Sequence, residues 1–339
     1  MANFLSAQIG ARGVTEELAA RLEDRGWPVI ATSTRPGRAE RLADMVRTVW
    51  RSRRDYDVAA VDVFSGQAFI WAQAACAALR LAGKPYVLAL RGGNLPVFAR
   101  RRPRSVRSLL TSAAAVIVPS GFLAREMRPY RGSLRLLPNP IELSRYPYVC
   151  RDHVRPRLIW LRAFHQIYNP SLAPRVLALL APHHPDVELC MIGRDKGDGS
   201  LQAMLAVAKS LGVRERITLP GGVPKDEVPR WLAQGDVFLN TTDFDNAPVS
   251  VIEALACGLC VVSTDAGGIP DLLRHEGDAL LVPAGEAEAM ARAVDRVLSE
   301  PGLSGRLSRR ARATAEAFDW AFILPRWESL LSAAAGGRP

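Results

Sequence analysis

The sequence predicts an α/β protein built as two doubly wound, Rossmann-like domains, each with a parallel sheet, facing one another across a cleft. Three observations carry this. At 339 residues the chain is too long for one ordinary hydrophobic core and suits two. Its composition, 48% hydrophobic and 23% charged, is that of a globular protein. Short apolar runs alternate with helical segments through both halves, the signature of βαβ units.

In the first half the expected strands are Asn3 to Ser6, Pro28 to Thr32, Val58 to Val63, Pro85 to Leu90 and Ala115 to Pro119. A helix from Glu16 to Arg25 follows the glycines of Gly10-Ala11-Arg12-Gly13, and an Ala-rich helix spans Ile70 to Leu81. Prolines 138, 140, 147 and 156 mark the joint. The second half is cleaner. Strands are expected at Leu158 to Leu161, Val187 to Ile192, Ile217 to Leu219, Val237 to Asn240, Leu259 to Ser263 and Ala279 to Val282. Helices fall between them at Leu172 to Leu180, Leu201 to Leu211, Asp226 to Gln234 and Val249 to Ala256. After residue 286 the chain reads as helical, with Trp320, Phe322 and Trp327 placed to pack on another surface. The expected division is 1–145, 155–315, and a helical segment 316–339 returning to the N-terminal domain.

Charge separates the halves. Residues 1–150 hold 23 Lys and Arg against 11 Asp and Glu, a balance of +12; residues 151–339 hold 21 against 23, a balance of −2. The densest run is Arg100, Arg101, Arg102, Arg104 and Arg107. A solvated arginine face, an anionic membrane surface or a phosphorylated acceptor each answers to it. No aromatic-interleaved basic strand or zinc finger supports nucleic acid. The longest nearly apolar stretch, Phe69 to Gly83, is interrupted by Gln73 and Arg80, so no membrane span is expected. The absence of a leader pattern makes a cytoplasmic location the expectation, peripheral at the inner face of the membrane if the basic run binds lipid. Five cysteines at 76, 150, 190, 257 and 260 show no metal-ligand spacing and read as thiols.

The most informative stretch is Asn240 to Pro270, NTTDFDNAPVSVIEALACGLCVVSTDAGGIP. A strand ends, an acidic loop with Asp243, Asp245 and Asn246 follows, and a helix begins near Pro248 or Val249. Such a helix start offers free N–H groups to a phosphate. Glu253 on its first turns can accept two hydrogen bonds from a ribose diol. Gly267 and Gly268 allow close backbone approach.

This segment resembles the signature of glycosyltransferase family 4, the retaining family that includes sucrose synthases and bacterial phosphatidylinositol mannosyltransferases, whose fold is GT-B. The resemblance implies that Glu253 holds the nucleotide ribose. Asp245 and Asn246 would face the donor sugar, and Ala247, Pro248, Val249 and Ser250 would lie near sugar or phosphate. Asp245 stands where Glu is usual. Asn139, Pro140 and Ile141 are similar to the interdomain stretch. Arg162 matches a diphosphate clamp whose usual downstream Lys is missing, leaving His165, Gln166, Asn169 or Lys225 to share that role. Gly193 and Arg194 resemble the loop beside the nucleotide, and Gly10 and Gly13 the glycine loop over the donor phosphates. Arg91 stands where a His often contacts the sugar; it could instead bind a diphosphate or an anionic acceptor, or be a structural arginine.

The implied donor is a UDP- or GDP-sugar, the implied acceptor a glycan or lipid-linked sugar, with no cofactor and no metal. The implied catalytic set is Arg91, Arg162, Asp245 and Glu253. A catalytically weakened GT-B scaffold or binding protein, a GT-B sugar-nucleotide epimerase and a nicotinamide-dependent oxidoreductase remain as alternatives.

Overall fold

The computed structural model describes residues 13–336 apart from 33, 34 and 36. The expected Asn3 to Ser6 strand and Gly10 lie outside the described residues. The chain divides into two compact units, one of Met1–Pro140 with Trp320–Pro339, the other Ile141–Asp319.

In the first unit, β1 (Ala59–Val63), β2 (Tyr86–Leu90), β3 (Ala115–Val118) and β4 (Arg135–Leu136) form a parallel sheet in chain order. A parallel sheet is buried on both faces, so its strands read as unbroken apolar runs. All five residues of β2 are buried. Because successive side chains point to opposite faces, Tyr86, Leu88 and Leu90 join Val61, Val63 and Phe69 on one side. Val87 and Ala89 meet Leu18, Leu22, Trp320, Ile323 and Trp327 on the other.

The helix Trp320–Gly336 supplies that second cover through Trp320, Ile323, Leu324, Trp327, Leu330 and Leu331, a three- and four-residue stripe. Phe322 falls off the stripe and is 63% exposed, which corrects the expectation that it packs. Pro28 to Thr32 is a second correction, since it forms no strand. Pro28 has no N–H to give, and among the described residues the segment joins no ladder. β4 escaped the sequence reading because both its residues are exposed.

In the second unit, β5 (Arg157–Leu161), β6 (Glu188–Ile192), β7 (Ile217–Gly221), β8 (Val237–Asn240), β9 (Cys260–Thr264) and β10 (Ala279–Val282) form an all-parallel sheet in the order β10-β9-β8-β5-β6-β7. Leu158 and Trp160 enter the core on one face, Ile159 that on the other. The helix expected over Asp226 to Gln234 is shorter, Val228–Leu232.

The strand order reverses between β5 and β8. There the connecting loops leave in opposite directions and open a crevice beyond the strands' carboxyl ends, where open α/β sheets bind ligands. Entry into this unit is anchored by Arg151, which is buried and donates to Asp236 Oδ1 at 3.4 Å, Gly235 O at 3.1 Å and Cys257 O at 2.7 Å. Cys257 and Cys260 are buried, and burial pushes each thiol up to about 12, so neither is a thiolate at neutral pH. Among the described residues no helix is long and apolar enough to cross a membrane.

Candidate active site

The carboxyl ends of β5, β6 and β8 gather most of the expected residues of the second unit. Arg162 follows β5 directly. Its guanidinium pairs with the Asp245 carboxylate, from the loop after β8, so one ion pair spans the switch point. It also lies 4.2 Å from the centre of the Tyr168 ring, a cation–π contact. Burial pulls the Arg162 pKa below its ordinary value, opposed by Tyr168 and by the negative charge of Glu253. Arginine stays protonated even so. Its Nε is buried without a hydrogen-bond partner.

Close backbone approach fixes these loops. A Cβ on Gly193 would lie 1.7 Å from Arg162 O, so the residue after β6 must be glycine. Gly267, at φ +65°, and Gly268 would place a Cβ 2.1 Å from Asp245 O and 2.0 Å from Asn246 O. These two glycines therefore make room for the acidic loop itself, and Gly268 N donates to Asp245 O at 2.8 Å. Thr241 and Thr242 are fully buried and tie the same loop to Tyr168 O at 2.8 Å and Ile167 O at 3.2 Å. Asp245 Oδ1 accepts from Asn246 N at 2.8 Å, which turns the chain toward the helix Val249–Ala256.

That helix begins after Ala247 and Pro248 with no side-chain cap, leaving its first N–H groups and dipole open. Ser250 is buried on its first turn, and its Oγ has no partner. Glu253, one turn on, has a side chain only 3% exposed. The Tyr146 hydroxyl donates to its Oε1 at 2.6 Å, and Lys225 forms an ion pair with the same oxygen. Burying a carboxylate is costly unless such donors meet it.

The remaining expected residues are placed differently. His165 caps the 3-10 turn Gln166–Tyr168, its Nδ1 accepting from Ile167 N at 3.2 Å. Asn169, in a left-handed conformation at φ 44°, donates to Asp243 at 2.9 Å. Arg194 lies against Gly222, where a Cβ would meet its Cγ at 2.2 Å.

In the first unit, Gly13 N donates to Glu16 Oε2 at 2.9 Å, so that N–H caps its own helix. Nothing stands within 4 Å of a Cβ there, so space alone does not require glycine. Arg91 follows β2 and donates to Asp62 Oδ1 at 3.2 Å and Asn139 Oδ1 at 2.7 Å. Thr15 reaches the other Asp62 oxygen at 2.5 Å. These bonds tie Arg91 to β1 and to the end of the first unit. Among the described residues no group of three or more His, Cys, Asp or Glu is placed to hold a metal.

Sequence reasoning missed Tyr146, Tyr168, Thr241, Thr242 and Asp62. Most of their bonds run to partners distant in the chain, and although Thr241 and Thr242 lie in the Asn240 to Pro270 run, nothing local marks what they hold.

Comparison with known proteins agrees with this architecture. The family model "Glycosyltransferase Family 4" matches residues 9–145, and "Glycosyl transferases group 1" matches 154–314. The amylovoran biosynthesis glycosyltransferase AmsK of Erwinia amylovora is 34% identical over 31% of this chain and 30% of its own length. The GDP-mannose-dependent alpha-(1-6)-phosphatidylinositol monomannoside mannosyltransferase of Mycolicibacterium smegmatis is 27% identical over 45% of this chain and 42% of its own. The chain thus matches less than half the length of either relative. Anabaena Alr3699/HepE, solved in complex with UDP and glucose, superposes with a TM-score of 0.74 at 20% identity, covering 93% of this chain and 88% of that one. Two parallel-sheet units, each matched by a glycosyltransferase model, give the chain the GT-B fold and a likeness to the glycosyltransferases of family 4.

Proposed function

We propose that the protein transfers a hexose-type sugar from a nucleoside diphosphate sugar, UDP- or GDP-linked, to an acceptor hydroxyl with retention at the anomeric carbon. The observation that carries the reading is the pair of buried, unpartnered polar atoms, Arg162 Nε and Ser250 Oγ, at the switch-point loops around the open start of the helix that bears Glu253. Two donors and a helix dipole suit a diphosphate, and a buried carboxylate suits a ribose diol. The Anabaena structure is described with UDP and glucose, and the Mycolicibacterium relative as GDP-mannose-dependent.

In this reading the glycosidic bond breaks as negative charge develops on the β-phosphate. Arg162 and the helix start meet that charge with dipoles already in place, which lowers the barrier more than they would in water. Asp245 and Asn246 orient the sugar, and Lys225 supplies the second diphosphate cation once released from Glu253. No side chain is assigned as nucleophile. The departing phosphate takes the proton of the incoming hydroxyl on the same face, which gives retention.

A thermal-shift screen against UDP, GDP, ADP and TDP tests the donor reading, because a ligand of the folded state raises the midpoint. One nucleotide should raise it, and Glu253→Ala should remove most of that rise; an undiminished rise refutes the ribose contact.

For the acceptor we propose a glycan or lipid-linked sugar at an anionic membrane surface, with the protein peripheral to the cytoplasmic face. Arg101, Arg102 and Arg104 are exposed in the first unit, at the junction of the helices Leu95–Arg101 and Pro103–Thr111. Each basic residue near an anionic surface contributes about 1 kcal/mol. Co-sedimentation at low salt should favour phosphatidylglycerol vesicles over phosphatidylcholine by roughly tenfold or more, and equal partitioning counts against the membrane.

A further inference from the structure

We infer that Tyr146 is the positioning residue for Glu253, fixing which carboxylate oxygen is presented to the ribose diol. The inference rests on the donor reading above and adds a residue that no motif marks. Tyr146 enters from the segment that opens the second unit, 107 positions from its partner. Tyr146 and Lys225 both donate to Oε1 of Glu253, and they differ in one decisive way. The Lys225 side chain is 39% exposed and free to exchange for ligand. Tyr146 is 4% exposed and packed in the core with Ile252, Leu255 and Ala256.

Its backbone is fixed as well. Tyr146 N donates to Leu143 O at 3.1 Å, and Arg312 Nη1 donates both to Tyr146 O at 3.0 Å and to Ala256 O at 2.8 Å. One guanidinium therefore joins the tyrosine's own peptide to the end of the helix that carries Glu253. That clamp holds the tyrosine's peptide in place against the helix, and the buried phenol in turn restrains the carboxylate. With Oε1 held by a core hydroxyl, Oε2 is the oxygen directed to a ligand when Lys225 leaves.

Tyr146→Phe removes the hydroxyl and keeps the ring, so packing survives. The test measures, by calorimetry, binding of UDP and GDP and of their 2′,3′-dideoxy counterparts to wild type, Tyr146→Phe, Glu253→Gln and the double variant. Wild type should prefer the ribose form. Tyr146→Phe should weaken that form about tenfold, as expected for a hydrogen bond to a charged group, and leave the dideoxy form unchanged. In the double variant the tyrosine change should add little to Glu253→Gln, because it acts through that carboxylate. Equal weakening of ribose and dideoxy forms means a merely structural tyrosine, and no weakening means an idle hydroxyl; each overturns the inference while wild-type discrimination leaves the donor reading intact. If wild type does not discriminate, or binds neither nucleotide, the donor reading fails and the inference with it.

Discussion

The two units answer the same topological problem, a parallel sheet with loops at its carboxyl edge, in opposite ways. In the second, glycines bring backbones into contact and charges are paired inward: Arg162 with Asp245 and Lys225 with Glu253. In the first, Arg91 pairs with Asp62 at the edge, while Arg101, Arg102 and Arg104 are exposed. A site for a small charged ligand needs buried, pre-oriented groups, whereas a surface for an extended partner needs only exposed charge. That difference is what the proposed reading rests on, with the donor in the second unit and the basic surface in the first.

The sharpest way to break the contrast is to add one methyl group to a glycine in each unit. At Gly193 the new Cβ would stand 1.7 Å from a backbone oxygen, with no flexible side chain to move aside. Gly193→Ala should cost more than ~4 kcal/mol, a large fraction of a domain's stability. Gly13→Ala meets nothing within 4 Å at φ −76°, so it should change stability by less than ~1 kcal/mol. Urea midpoints measure both, and similar values for the two variants would remove the distinction between a built edge and an open one.

Buried and exposed ion pairs give the next largest difference. Asp236 has a side chain 6% exposed and holds Arg151 and Arg155; Asp236→Ala leaves a buried guanidinium unpaired and should cost about 3 kcal/mol. In the first unit, Arg100 is 62% exposed and pairs with Glu126, so Glu126→Ala should cost under ~1 kcal/mol. If thermal unfolding ranks these two the other way, the inward charges of the second unit are not structural.

How much of this was legible follows the same division. The run from Asn240 to Pro270 is contiguous and carries strand end, acidic loop, helix start and glycine pair in reading order. Its local architecture could therefore be read from the residues alone. Arg151 with Asp236 and Tyr146 with Glu253 are 85 and 107 positions apart, and neither arginine nor tyrosine announces a distant partner. Thr15 with Asp62, 47 apart, is the first unit's example. Pro28 to Thr32 shows the converse: its residues favour a strand, yet a strand exists only when a neighbour completes its hydrogen bonds. Phe322 is aromatic, but its phase on the helix turns it away from the buried stripe.

The smallest effect concerns how the loop after β6 is held. Asp198 accepts from Gln166 N at 2.7 Å and Ser200 N at 3.1 Å, joining that loop to the turn beyond Arg162. These donors, Gln166 first, favour the carboxylate and lower its pKa to about 2 from an ordinary 3.8. A carboxyl depressed on folding binds fewer protons in the folded than in the unfolded state. Its stabilisation is therefore present above about pH 4 and is lost as pH falls through about 2. Asp198→Asn should lower the urea midpoint slightly at pH 6, with the gap to wild type closing between pH 4 and 2. A constant gap across that range means the aspartate acts by shape rather than charge. The loop would then resemble the first unit's Arg91 anchor less than it resembles the glycine contacts beside it.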